Sequence, residues 1–133
     1  MKTVVIDTNV LVSGLLFDGP PGELVTLWKK KIIHPCCSRE MVEEYLRVLT
    51  YPKFNLSESE IDFILTHEIL PFFKTVKVKP DKRYVRADAE DDKFIWCALA
   101  CGAEAIVSGD AHLLNLAGSP VPIFSAVNFL KKL

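Results

Sequence analysis

Four carboxylates, Asp7, Glu44, Asp91 and Asp110, stand where this chain could do chemistry. Asp7 follows the apolar run Val4-Val5-Ile6, and Asp110 follows Ala105-Ile106-Val107-Ser108-Gly109 in the same way. Asp91 lies in Asp88-Ala89-Glu90-Asp91-Asp92, in front of the apolar stretch from Phe94 to Gly102. Glu44 adjoins an apolar stripe of Met41, Tyr45, Leu46 and Leu49. Each acid alone has an ordinary reading. Asp7 could cap the segment that follows it, Glu44 could be a solvent-face charge, and acids at a helix start gain ~0.3–1 kcal/mol each from the helix dipole. Four acids within the five residues 88–92 exceed what capping requires, because they repel one another. Gathered at one spot, three or four carboxylates raise each other's pKa. A divalent cation resolves that conflict. Oxygen donors of this kind suit Mg²⁺ or Mn²⁺, which keep several waters and bridge to phosphate oxygens. One or two such ions could activate a water and neutralise a scissile phosphate, with no histidine or serine nucleophile. The block 88–92 offers Asp91, Asp92 or Asp88 as its acid at that spot. Thr8, Asn9 and Ser108 would be donors that orient the carboxylates. Lys93 and His112 are the expected substrate contacts, although His112 could equally lie idle on a helix surface.

Elements able to bring these acids together can be read from hydrophobic periodicity. Three β-branched residues in Val4-Val5-Ile6 mark a buried strand of a parallel sheet. Helical patterns cover residues 23–31 and 38–50, and Ser57-Glu58-Ser59-Glu60 opens a third as a capping box. Pro71 ends that helix or kinks it. Ile32–Cys37 reads as a short strand, its Pro35 suggesting an edge or an irregular end. Thr75–Lys79 alternates like a half-exposed strand, and Gly102 is a natural C-cap. Ala105–Ser108 and Val121–Phe124 are further strands, and Ser125 caps a final helix. Strands alternating with helices imply an α/β fold, a three-layer α/β/α sandwich around a mainly parallel sheet. In such a sheet, ligands bind outside the carboxyl ends of the strands. Asp7 and Asp110 then share one edge, with the helix start at Asp91 and the Glu44 side of its helix facing the same rim.

Composition narrows the class. The chain has 133 residues, half of them hydrophobic, which suits one domain spanning residues 1–133. No apolar run reaches the ~18 residues of a membrane span, and Met1-Lys2 leads straight into the first strand without a signal peptide. A cytoplasmic protein is expected. The net charge of −1 leaves no global field to recruit nucleic acid. The local cluster Lys74, Lys77, Lys79, Lys82, Arg83 and Arg86 leads into the acidic block and is well placed for such a role. Cys36, Cys37, Cys97 and Cys101 lack the paired spacing of a zinc site and read as buried free thiols. Exposed aromatics in Tyr51–Phe54 or Phe72–Phe73 could mark an interface.

Val5-Ile6-Asp7-Thr8-Asn9-Val10-Leu11, Glu44-Tyr45-Leu46-Arg47-Val48-Leu49, Asp91-Asp92-Lys93-Phe94 and Ile106–Leu114 together resemble the four acidic blocks of the PIN domain family. The resemblance covers nearly the whole chain. It implies a PIN-like α/β/α domain with Mg²⁺- or Mn²⁺-dependent ribonuclease activity on RNA. It also implies frequent homodimers and, commonly, the toxin role in a type II toxin–antitoxin pair, with an antitoxin protein as partner. The acidic set carried over by position is Asp7, Glu44, Asp91 and Asp110. Many relatives have a further acid two residues beyond the last of these, where this chain has His112.

Two other classes compete with a metal-dependent endoribonuclease. One is a nucleic-acid- or antitoxin-binding module with little turnover. The other is a phosphohydrolase with an aspartate nucleophile ending the first strand, like the haloacid dehalogenases. Those enzymes want a second aspartate two residues on, and this chain has Asn9 there. Housekeeping RNA processing is the alternative to a toxin role.

Overall fold

In a computed structural model describing residues 2–80, 82–85 and 88–133, the first apolar run is the centre of the sheet. It forms β1 (Lys2–Ile6), whose Val4, Val5 and Ile6 are fully buried. Full burial of such side chains stabilises the fold by ~1.5–3 kcal/mol each, and this requires layers on both faces. β1 pairs in parallel with β2 (Ile33–Cys37) on one side and with β4 (Ala105–Val107) on the other. β3 (Lys74–Thr75) and β5 (Ile123–Phe124) complete a five-stranded sheet among the described residues, in the order β3-β2-β1-β4-β5 with every neighbouring pair parallel. Helices cover the sheet as a three-layer α/β/α sandwich. α1 (Thr8–Leu16) packs on α2 (Pro20–Lys29), which packs on α7 (Ala126–Lys131), while α5 (Asp92–Cys101) lies along β1, β2 and β4. α3 (Arg39–Leu49) contacts both α1 and α5, and α6 (Ala111–Leu114) is a single turn. No helix among the described residues is long and apolar enough to cross a membrane.

Most local signals produce the elements they suggest. Ser38, Ser57 and Ser125 cap α3, α4 (Glu58–Phe63) and α7 through their side chains, and the capping box at Ser57 and Glu60 is complete. Gly102 ends α5 at φ 66°, a left-handed conformation that costs glycine little. The cysteines are free thiols, three of them buried.

Several expectations shift. α2 begins at Pro20 rather than Glu23, because prolines fit the first helical turn, where the N–H groups lack partners anyway. Pro35 lies inside the sheet rather than at its edge: it pairs with Val4, and β3 begins only opposite Cys36, so the missing N–H interrupts no ladder on that side. The alternating run after Lys74 forms only a two-residue strand. Its last backbone bond, from Val76 to Cys37, falls where β2 ends, so Lys77–Lys79 have no partner strand among the described residues. The continuation of α4 is a π-helical turn at Ile64–Ile69. Phe73 is a core residue, edge-on to Trp28 at 5.0 Å, and so cannot mark a docking surface; Tyr51 is exposed. Arg86, from the basic cluster, lies outside the described residues.

Candidate metal centre

The sheet register assembles the acidic site. Ile6 pairs with Val107, and the Asp7 backbone N–H donates to the Val107 carbonyl at 3.0 Å. The residues just beyond the two strand ends, Asp7 and Ser108, are thereby placed side by side although 101 positions separate them. The Ser108 hydroxyl donates to Asp7 Oδ2 and accepts the Asp110 N–H at 2.9 Å, linking the two strand-end aspartates. Asp7 also caps α1, its Oδ1 accepting the Val10 N–H at 2.9 Å, so it is both a cap and a member of the acidic rim. Only 3% exposed, its carboxyl is held above the usual range, first by burial and in lesser part by the charge of Asp110. Hydrogen bonds from Ser108, Val10 and Gly109 oppose that shift.

Asp91 arrives from another direction, at the end of a 3₁₀ turn (Ala89–Asp91) that runs into α5. It is 8% exposed, and its Oδ2 is buried without a hydrogen-bond partner. Burial, followed by the proximity of Asp110 and Asp88, pushes its pKa up to about 7, against the pull of Lys93. One ligand atom from each of Asp91, Asp110 and His112 lies within 4.8 Å of the other two, the spacing of a group able to hold a cation. Asp110 caps α6 by accepting the His112 N–H at 2.8 Å, which presents the imidazole next to the carboxylate, Nδ1 to Oδ1 at 3.8 Å.

Glu44 sits apart from that trio, at the α1–α3 side of the rim. The Thr8 hydroxyl donates to its Oε2, while Lys93 Nζ lies 2.7 Å and Arg47 3.5 Å from Oε1. The next residue on α3, Tyr45, donates its hydroxyl to the Ile6 carbonyl at 2.7 Å and so pins α3 against the end of β1. Burial holds that phenol well above its ordinary pKa.

The remaining expected site residues divide clearly. Thr8 and Ser108 orient carboxylates. Asn9 is exposed and lines a hollow with Ser108 and Gly109. Asp88 caps the 3₁₀ turn by accepting the Glu90 N–H at 3.0 Å. Asp92, adjacent to Asp91 in sequence, is fully buried and points elsewhere: Oδ2 accepts from Arg83 Nε at 2.7 Å and Oδ1 from the Tyr84 and Val85 N–H groups at 2.8 Å. Its lone pairs are engaged in holding a loop. Lys93, expected at the substrate, is buried, with Nζ on Glu44 and on the Glu90 carbonyl at 2.8 Å. Helical periodicity could have hinted at this, since Lys93 falls within the buried start of α5.

A family model described as PIN domain matches residues 3–112. A search of curated proteins finds no match. Among solved structures, the chain is similar to FitAcB from Neisseria gonorrhoeae, at 17% identity and TM-score 0.58, over 93% of this chain and 98% of that one. It is similar to PAE2754 from Pyrobaculum aerophilum at 12% identity and TM-score 0.60, over 98% and 88% of the two chains. VapBC2 from Rickettsia felis, solved bound to a DNA fragment from their promoter, matches at 15% identity and TM-score 0.60, over 92% and 97%. At these identities the likeness is one of fold.

Proposed function

This chain belongs to the PIN domain family, and from that premise we propose that it is an endoribonuclease that uses Mg²⁺ or Mn²⁺ to hydrolyse RNA phosphodiester bonds. The observation that carries this reading is the buried Asp91 Oδ2, left without a hydrogen-bond partner beside Asp110 and His112. A buried carboxylate oxygen with no donor costs stability, and a cation there would remove the cost. The donor set fits a hard divalent ion: Asp91 and Asp110 would hold it, with His112 at the open side. When bound, such an ion lowers the pKa of a coordinated water and neutralises charge on phosphate.

The chain's own residues then have distinct tasks. Asp7 fixes Ser108, and through it the backbone of Asp110, so the distance between the two strand-end acids is set by the sheet. Glu44, clamped by Lys93, Thr8 and Arg47, completes the acidic set of Asp7, Glu44, Asp91 and Asp110. Asp91 Oδ2 is buried without a hydrogen-bond partner and can accept a cation or a proton. We further propose that the protein acts in the cytoplasm as the toxin of a toxin–antitoxin pair, as a homodimer restrained by an antitoxin protein. The toxin role is the one that the family resemblance commonly implies, and housekeeping RNA processing is its alternative.

The test is incubation of purified protein with labelled single-stranded RNA in Mn²⁺, in Mg²⁺ and in chelator, beside Asp7→Asn. Metal-dependent cleavage that the variant lacks is expected. Metal-independent cleavage, or cleavage unchanged in the variant, overturns the reading. RNA binding with no turnover on several substrates would favour the binding-module alternative.

A further inference from the structure

Beyond the metal centre the surface opens into a hollow of about 810 Å³ that shares His112 with it. One wall is the segment Lys82–Val85 and the other is α6 with the turn after it, contributing His112 and Asn115. Among the described residues, none of those lining it is acidic, although the hollow adjoins an acidic cluster. The first wall is fastened in place. Asp92 takes three donors from Arg83, Tyr84 and Val85, and the Trp96 indole N–H donates to the Lys82 carbonyl at 3.0 Å. A fully buried carboxylate devoted to three consecutive residues gives this short, otherwise irregular segment a fixed shape. It presents a half-buried Tyr84 ring with the Lys82 ammonium 5.2 Å from its centroid.

We propose that this hollow receives one unstacked nucleotide of single-stranded RNA, next to the phosphate held at the metal centre. The inference rests on the nuclease reading and adds to it the way substrate is gripped. The chemistry agrees at each position. Tyr84 offers an aromatic face, on which bases of any identity stack. Lys82 supplies positive charge for a flanking phosphate, while Arg83 is held by Asp92 and keeps the wall in place. Asn115, exposed on the opposite wall, offers a donor and an acceptor to a base edge. An unpaired base has a free face to stack on Tyr84 and a free edge for Asn115, so single strands are the expected ligand. The volume lies within the range of small-molecule sites, and positive charge beside the acidic centre complements the RNA backbone.

The experiment measures fluorescence anisotropy of a labelled 12-nucleotide single-stranded RNA on the full chain carrying Asp7→Asn, which blocks cleavage. Tyr84→Ala should weaken binding about 5- to 100-fold, Tyr84→Phe should retain it, and duplex RNA should bind equally to all three proteins. In the active chain the same alanine change should raise KM more than it lowers kcat. Lys82→Ala and Asn115→Ala, both at exposed positions, carry the test if Tyr84→Ala fails to fold; each should weaken binding several-fold. Single-strand affinity unchanged by these substitutions, with cleavage intact in the parent, overturns the nucleotide site and leaves the nuclease standing. A parent that neither binds nor cleaves RNA overturns both.

Discussion

The Lys93 ammonium lies 2.7 Å from Glu44 Oε1, across the gap between two helices. Both side chains are largely buried, and the same ammonium caps the Glu90 carbonyl at the entry to α5. One buried cation thus ties α3 to α5 at the acidic rim. A cluster of carboxylates with an internal counterion on one arm and none at Asp91 Oδ2 is electrostatically lopsided. The arm beside Asp110 is the one that calls for an external cation.

Removing the internal cation should therefore damage the fold more than substrate affinity. Truncating one partner of a buried ion pair costs ~3–5 kcal/mol. Glu44 keeps Thr8 and Arg47 as partners, so Lys93→Met should cost about 2–3 kcal/mol in urea denaturation. Its affinity for RNA in chelator should match the parent's. A selective loss of RNA affinity at full stability would return Lys93 to the substrate.

Stability without metal should fall as pH rises. The Asp91 carboxyl titrates near 7 in the folded chain against 3.8 in its ordinary state. Between those values the folded chain binds the extra proton, so stability decreases with rising pH. The loss begins above pH ~4 and is complete above pH ~7, with Asp7 acting in the same direction. In chelator, Tm should be several degrees lower at pH 8 than at pH 5, and Mg²⁺ or Mn²⁺ should restore it at pH 8. Asp91→Asn should flatten the pH dependence and abolish the metal response. A Tm that rises with pH in chelator would contradict the assignment.

The register of this site was legible for the strands and less so for the helices. Val4–Ile6 and Ala105–Val107 are short apolar runs that end on small polar residues, and parallel pairing makes their ends coincide, so Asp7, Ser108 and Asp110 could be placed from spacing alone. The acidic block 88–92 could not be resolved that way. Asp88, Asp91 and Asp92 are separated by one turn or less, and which of them faces the sheet edge depends on the 3₁₀ turn that precedes α5. That turn is tightened by an Asp88 cap and followed by Asp92, whose contacts to Tyr84 and Val85, eight and seven residues upstream, no periodicity records. The ion pair of Lys93 has the same root: periodicity can hint that Lys93 is buried, but its partner Glu44 lies 49 residues away on another helix.

His112 should change which ion the site prefers. An imidazole nitrogen beside two carboxylates favours a transition-metal ion over Mg²⁺, whose chemistry calls for oxygen donors. Mn²⁺ titrated by electron paramagnetic resonance should bind more tightly than Mg²⁺ measured by calorimetry. His112→Ala should weaken Mn²⁺ binding about 10-fold and Mg²⁺ binding less. Equal losses for the two ions would remove the nitrogen from the metal's surroundings.

Asp91 and Asp92 are neighbours with opposite duties, and paired substitutions should separate them. Both oxygens of Asp92 are engaged, by Arg83, Tyr84 and Val85, and it has no exposure. Asp92→Asn keeps an acceptor for the backbone N–H groups but turns an amide toward Arg83, sacrificing a charge-assisted bond worth ~1.5–3 kcal/mol. Stability should drop by about 2 kcal/mol while the metal-induced rise in Tm persists. Asp91→Asn should do the reverse. Relieved of an unpartnered carboxylate, the variant should be at least as stable as the parent in chelator, with no metal response and no cleavage. Thermal melts of both variants with and without Mn²⁺ at pH 8 decide the matter. If Asp92→Asn also lost the metal response, the two carboxylates would share one site, and the loop that Asp92 holds would have to be counted as part of the metal centre.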